Sequence, residues 1–270
     1  MAERELSREA LRDVQAHARE RGIPFFATAH DVPSLKFLVD ELDVPMIKVG
    51  SGEASNWDFL RAVGAAGRPV VVSFGLQSDT EATRAVEELR AAGATEVVAL
   101  HTLTAYPTPP GLADVRRLTR LRDLLGVPVG LSDHTVGTHI PLAAVALGAS
   151  AVEKHLTFDK TDRRSQDNAG ALEPAEWIEF VRHIRELETA LGEPDEADLA
   201  HALEQGRRWA LQALVAAHDL EQGTVLERSQ LRAKRPLRGG IPAGELDQVV
   251  GRVLRRALRR DDQLMLDDLA

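Results

Sequence analysis

Short, uninterrupted apolar runs alternate with amphipathic stretches, and this rhythm restricts the fold more than any other feature of the chain. Pro24–Thr28, Met46–Val49, Pro69–Ser73, Glu96–His101, Val127–Ser132 and Ala151–His155 read as buried strands. Residues 32–41, 56–66, 79–92, 111–125, 138–147 and 174–191 read as the helices that follow them. A further helix over residues 6–21 precedes the first strand, with Ser7 as its cap and Gly22 as its stop. Apolar strands each followed by a helix imply a parallel sheet covered by helices. Thr28, Lys48, Ser73, His101, Ser132 and His155 close the apolar runs. In a parallel α/β protein such positions gather at the carboxyl ends of the strands, where sites are built. No Gly-x-Gly-x-x-Gly turn and no Gly/Lys phosphate loop follows any strand. The pattern therefore favours a (β/α) barrel of the TIM type over a doubly wound sheet. A closed barrel has eight units. Six are legible and the chain opens on a helix, so the first two, on the order of 60–80 residues, are expected to be absent from the amino end.

The rhythm changes after Pro194. Residues 194–208 open with an acidic stretch and read as a linker between a barrel part, 1–193, and a small domain, 209–270. In the small domain Ala213–Ala216, Gly223–Leu226, Ile241–Gly244, Val249–Gly251 and Gln263–Leu266 read as short strands and turns. The expected fold is thus an α/β barrel without its first two units, followed by a small β-rich domain.

Composition removes several classes of function. The chain has 270 residues and no Cys, which excludes a disulfide scaffold, a thiolate nucleophile and a Cys-ligated metal. Its net charge of −9 gives no support to nucleic-acid binding. No stretch approaches the roughly 18 apolar residues of a membrane span. The charged start, Met1 to Leu6, lacks a signal core, so a cytoplasmic location is expected.

Gly130-Leu-Ser-Asp-His-Thr135 places a hydroxyl, a carboxylate and an imidazole at one strand end. Val152-Glu-Lys-His-Leu-Thr157 repeats a His one strand later. Imidazoles on neighbouring parallel strands can converge on one cation and leave positions open for water and substrate. Either His can equally fill a buried polar niche. Lys48-Val-Gly-Ser-Gly-Glu53 offers a charge and exposed backbone donors to a phosphate or carboxylate, or it is a tight turn. Ser73 and Gly75 repeat the Ser/Gly theme. Tyr106-Pro-Thr-Pro109 is a rigid loop carrying the chain's single Tyr.

Taken in order, these motifs resemble the sialic acid synthase family, whose members condense phosphoenolpyruvate with an N-acylated amino sugar. The resemblance rests on Lys48–Glu53, Tyr106–Pro109, Gly130–Thr135, Ala146–Ala149, Glu153–Thr157 and Leu172–Pro174. Leu220–Gly223, Lys234–Pro236 and Val250–Arg252 resemble the antifreeze-like (SAF) domain that ends these synthases. The resemblance implies a divalent metal, manganese with magnesium or cobalt as substitutes, held by His134 and His155. It implies that Lys48, Ser51, Ser73 and Ser132 hold phosphoenolpyruvate. Glu153 and Asp167 would contact the sugar, with Glu153 also moving protons, and Tyr106 would wall the sugar pocket. Arg235 would be delivered to the partner's active site in a domain-exchanged homodimer.

The chain departs from the family pattern at several places. Thr28-Ala-His-Asp31 has His30 where an aromatic is usual. Ser73-Phe-Gly-Leu76 places Phe74 at a usually small polar position, which is expected to bear on phosphate affinity. Thr104 stands for an Asn, Ser165-Gln-Asp167 for Gly-Pro-Asp, and Ala171 for a Ser. A non-catalytic homologue that binds a sugar or a partner is the alternative that these changes raise.

Overall fold

The structure is a computed structural model, and it describes residues 6–270. It divides into two compact units, one ending at Leu191 and the other spanning Gly192–Ala270.

The first unit alternates helices and parallel strands in chain order: α1 (Arg8–Glu20), α2 (Val32–Lys36), β1 (Ile47–Val49), α3 (Trp57–Gly64), β2 (Val70–Phe74), α4 (Asp79–Ala91), β3 (Val97–His101), α5 (Arg116–Leu125), β4 (Val129–Asp133), α6 (His139–Ala146), β5 (Val152–Lys154) and α7 (Pro174–Leu191). The starts follow from side chains that cap free backbone N–H groups. Ser7 accepts from Ala10 N, Asp31 from Ser34 N and Asn56 from Phe59 N, while Ser78 and Glu81 form a full capping box. α5 stops at Gly126, whose φ of +59° is open to glycine at no steric cost. α2 runs on as a π-helical turn, Phe37–Glu41.

Among the described residues five strands form the sheet, in the order β1-β2-β3-β4-β5, every pair parallel. The expected strand at Pro24–Thr28 contributes one bridge, Thr28 to Lys48, and no ladder. Pro24 has no N–H to donate, and Phe26 faces solvent. The expected helix at 111–125 is also split. Pro110–Leu112 forms a 3-10 turn, and Asp114, at φ +36°, separates it from α5.

Period-two alternation gives the sheet two chemically different faces. In register, Ile47, Val70 and Val97 share one face with Val49, Val72, Ala99 and Val129, and with Phe74, His101 and Leu131. Most of these pack in one buried cluster with Leu60, Val63, Val86, Leu89, Leu118, Leu121 and Leu125 of the covering helices. The other face carries Lys48, Ser73, Leu100, Gly130, Ser132 and Glu153. A Cβ on Gly130 would lie 2.5 Å from the Ala151 carbonyl oxygen and 2.7 Å from Leu100 Cδ2, so only glycine fits there without displacement.

The second unit begins with α8 (Glu196–Ala210), which occupies most of the expected linker. Asp195 caps it, acidic residues fill its first turn and Arg207 and Arg208 its last, an order that suits the helix dipole. β6 (Ala213–Ala216) and β7 (Leu231–Lys234) then pair antiparallel, and α9 (Leu246–Val249) is a single short turn. Leu214, Leu220, Leu226, Leu231, Ile241, Leu254, Leu258 and Leu264 belong to its own core. Most of the remaining expected strands reduce to single bridges, Val225 to Val253 and Val215 to Gln263 among them. Gly223 and Gly251, both at positive φ, and Pro242 keep those stretches irregular.

Candidate active site

The polar face of the sheet brings Lys48, Ser73, Ser132 and Glu153 together at the carboxyl ends of β1, β2, β4 and β5. Lys48 is 6% exposed, and its Nζ donates to Ser73 Oγ at 2.9 Å and to the Val49 carbonyl at 3.3 Å. Glu153 Oε2 lies 3.6 Å from the same Nζ. Glu153 Oε1 accepts from Ser132 Oγ at 2.6 Å. Burial pushes the Lys48 ammonium below its ordinary range, and the Glu153 carboxylate works against that shift. A buried ammonium with one partly exposed counter-charge is suited to receive a further anion.

The loops after β1 and β2 are tied to each other. Gly75 N donates to Ser51 Oγ at 2.8 Å, and Gln77 Nε2 donates to the Ser51 carbonyl at 2.9 Å and to Ser55 Oγ at 3.1 Å. Arg117 of α5 holds the same loop from behind. Its guanidinium donates to the carbonyls of Phe74 (2.9 Å) and Gln77 (2.7 Å) and to Asp79 Oδ1 (2.9 Å). Ser51 therefore spends its hydroxyl as an acceptor inside the loop, at the side of the Lys48 cluster. The expectation for Phe74 is corrected: its ring is fully buried in the helix-side core, because strand alternation turns it away from Ser73.

His134 and His155 follow β4 and β5. Their ring centroids are 5.3 Å apart, with the planes tilted by 36°. His134 Nδ1 lies 2.8 Å from the Leu103 carbonyl oxygen, which only accepts, so Nδ1 bears the proton and Nε2 is free to ligate. Burial, reinforced by His155, lowers the His134 pKa and keeps it neutral, the form a metal requires, against the opposing Leu103 hydrogen bond. The two neighbouring imidazoles are candidate ligands for one divalent cation. Among the described residues no group of three His, Asp or Glu side chains surrounds a common point. A cation held there would keep positions open for water and substrate oxygen.

Tyr106 packs on both imidazoles, 4.1 Å from the His134 ring and 5.8 Å from the His155 ring. Burial raises its phenol pKa, and the nearby charges of Asp167 and Glu153 add to the effect. Asp167 accepts from Ser165 Oγ at 2.8 Å. His30 Nδ1 lies 3.0 Å from Glu53 Oε1 at the ends of adjoining segments. Lys48, Ser73, Ser132 and Glu153 thus converge, the two His residues and Tyr106 form a second group, and Arg235 is exposed in the second unit, beside a cis bond to Pro236. Sequence reasoning missed Arg117, Gln77 and the buried pair Asp133–Lys154. For the pair the signal was present: both residues have strand parity opposite to the adjacent His.

A parallel β/α sheet with a buried ammonium–hydroxyl cluster and two imidazoles after its strands is the arrangement in which α/β barrel enzymes build their sites. Comparison with known proteins narrows that class. Residues 1–196 match the NeuB family and residues 212–270 the SAF domain, and the chain belongs to the NeuB family. It is 34% identical to the human N-acetylneuraminate-9-phosphate synthase, across 97% of this chain and 72% of that protein. It is 32% identical to the N,N'-diacetyllegionaminic acid synthase of Campylobacter jejuni, across 96% of this chain and 77% of that protein. Among solved structures, the N-acetylneuraminic acid synthetase of Leptospira borgpetersenii superposes with a TM-score of 0.68 at 30% identity, covering 75% of this chain and 71% of that one. The barrel-and-SAF architecture expected from sequence is therefore the family's architecture.

Proposed function

We propose that the chain condenses phosphoenolpyruvate with the open-chain aldehyde of an N-acylated amino sugar, giving a nonulosonic acid and phosphate. The observation that carries this reading is the Lys48–Ser73–Ser132–Glu153 cluster on the same sheet face as the His134–His155 pair, in a member of the NeuB family. Lys48 receives the anionic charge of phosphoenolpyruvate, with Ser73 and Ser132 as hydroxyl partners and Ser51 shaping the loop beside them. His134 and His155 would hold a divalent cation, manganese by family resemblance, and such a cation would supply Lewis-acid polarisation to an aldehyde oxygen. Phosphoenolpyruvate C3 bonds to the aldehyde carbon, water adds at C2, and the C2–O bond to phosphate breaks. Glu153, aligned by Ser132, takes the proton that the water releases. Tyr106 and Asp167 bound the sugar side.

Arg235 is proposed to complete the site of a partner subunit in a domain-exchanged homodimer, as the family resemblance implies. No helix among the described residues is long and apolar enough to cross a membrane, and the cytoplasm is the proposed place of action. The test is phosphate release from phosphoenolpyruvate with manganese and a panel of acceptors: N-acetylmannosamine, its 6-phosphate, and the legionaminic and pseudaminic acid precursors. Release with one acceptor, and a product mass equal to the condensed acid, supports the reading. A folded protein that releases no phosphate with any of them overturns it.

A further inference from the structure

We infer that Asp133 and Lys154 are positioning residues for the two imidazoles, an inference that rests on reading His134 and His155 as the cation ligands. Asp133 and Lys154 are direct register partners across β4 and β5. Each immediately precedes one of the two His residues. Lys154 Nζ lies 2.6 Å from Asp133 Oδ2, with the two side chains 0% and 1% exposed. Nζ also donates to the Thr135 carbonyl at 2.6 Å, and Asp133 Oδ1 accepts from Thr135 N at 3.1 Å. The backbone on both sides of His134 is thereby tied to the residue before His155. The His134 carbonyl itself accepts from Thr108 N at 2.9 Å.

A buried ion pair is a poor source of net stability, because desolvation offsets most of the attraction between the charges. Well-packed apolar residues would hold two strands together as well. What the pair adds is direction: two hydrogen bonds from Lys154 Nζ set where residues 133–135 run relative to residue 154, and a third, from Thr135 N to Asp133 Oδ1, fixes the path around His134. The spacing and tilt of the two rings follow from that path. Outer-shell groups of this kind change metal affinity about 10–100-fold when removed.

The test measures cation binding directly, without substrate. Manganese is titrated by calorimetry, and cobalt(II) by its visible spectrum, into the full chain and into two variants. Asp133→Leu/Lys154→Met removes both charges and leaves no lone ion buried. Lys154→Arg keeps the charge but changes the head group that contacts both Asp133 and Thr135. Thermal unfolding without metal reports the fold. The expected result is cooperative unfolding near the wild-type midpoint, cation binding weaker by about 10–100-fold, and an altered cobalt spectrum. Wild-type affinity and spectrum in a folded variant overturn the inference and leave the pair as ordinary strand packing. A wild-type chain that takes up neither cation overturns the ligand reading of His134 and His155, and the inference with it.

Discussion

Ser132 Oγ donates to Glu153 Oε1 at 2.6 Å, and the two residues are direct register partners on β4 and β5. The hydroxyl orients one carboxylate oxygen and leaves the other 3.6 Å from Lys48 Nζ. One carboxylate thus links the Lys48 cluster to the strand that leads into His155. Glu153→Gln keeps the shape and removes the base. Its kcat is expected to fall by roughly 10²- to 10⁴-fold, with a smaller change in KM for phosphoenolpyruvate. The urea midpoint should move little, since the side chain is 44% exposed. Steady-state kinetics with paired urea melts decide it, and unchanged turnover would move the proton-transfer role elsewhere.

Lys48 gives a pH dependence whose sign follows from its burial. Desolvation lowers its pKa in the folded state below the ordinary value of 10.5, with Glu153 opposing. The unfolded chain therefore binds the Lys48 proton more tightly, and this residue's contribution to stability increases as pH rises through its folded pKa toward 10.5. At neutral pH the cost of burying the charge is fully present. Lys48→Met is expected to be more stable than wild type at pH 7, with the difference narrowing in alkali. The same variant should bind phosphoenolpyruvate roughly 10- to 100-fold more weakly, the loss of a charge-assisted hydrogen bond. Urea midpoints across the pH range and an equilibrium binding titration test the two halves separately.

Much of the barrel part was legible because period and punctuation agreed there. β2 and β3 and the capping box at Ser78 combine strong local preference with a consistent pattern. Pro24–Thr28 misled because an apolar run says nothing about whether its backbone finds a ladder partner. The candidate site residues at strand ends are legible as candidates through their position after apolar runs. Phe74 was misjudged because its role depends on strand parity, which one residue of register reverses. Arg117 was invisible because its three partners lie 38 to 43 residues away in sequence. The irregular second unit hid its strands because bridges between single residues leave no periodic trace.

The loop that carries Ser51's partner depends on a small residue and on Arg117. A Cβ on Gly75 would lie 2.6 Å from Thr104 Oγ1, 2.7 Å from Thr102 Cγ2 and 2.9 Å from Ser51 Oγ. Gly75→Ala is expected to cost about 1–3 kcal/mol through overpacking and to raise KM for phosphoenolpyruvate more than it lowers kcat. Arg117→Met removes three hydrogen bonds to the same loop and should cost about 2–3 kcal/mol. Because both act on residues 74–79, their double variant should lose less than the sum of the single losses. Urea denaturation of the four proteins checks this, and strict additivity would show that the two act on different segments.

His30 tests whether the mouth of the site discriminates between acceptors. Its ring pairs with Glu53 at 3.0 Å yet remains 70% exposed, so the contact holds little of the fold together. The same exposure leaves the ring edge free to meet hydroxyl or amide groups of an incoming sugar, while the Glu53 side chain is only 21% exposed. Replacing the imidazole with a phenyl ring removes those polar contacts and leaves Glu53 without its partner. His30→Phe is therefore expected to leave the urea midpoint within about 0.5 kcal/mol of wild type. It should also leave KM for phosphoenolpyruvate unchanged and change the ratio of kcat/KM between two acceptors by roughly 10-fold, the scale of one polar contact. Competition assays with paired acceptors read that ratio directly. An unchanged ratio would place His30 outside the acceptor's reach and transfer the choice of sugar to Tyr106, which packs on both imidazoles, and to Asp167, whose charge acts on Tyr106.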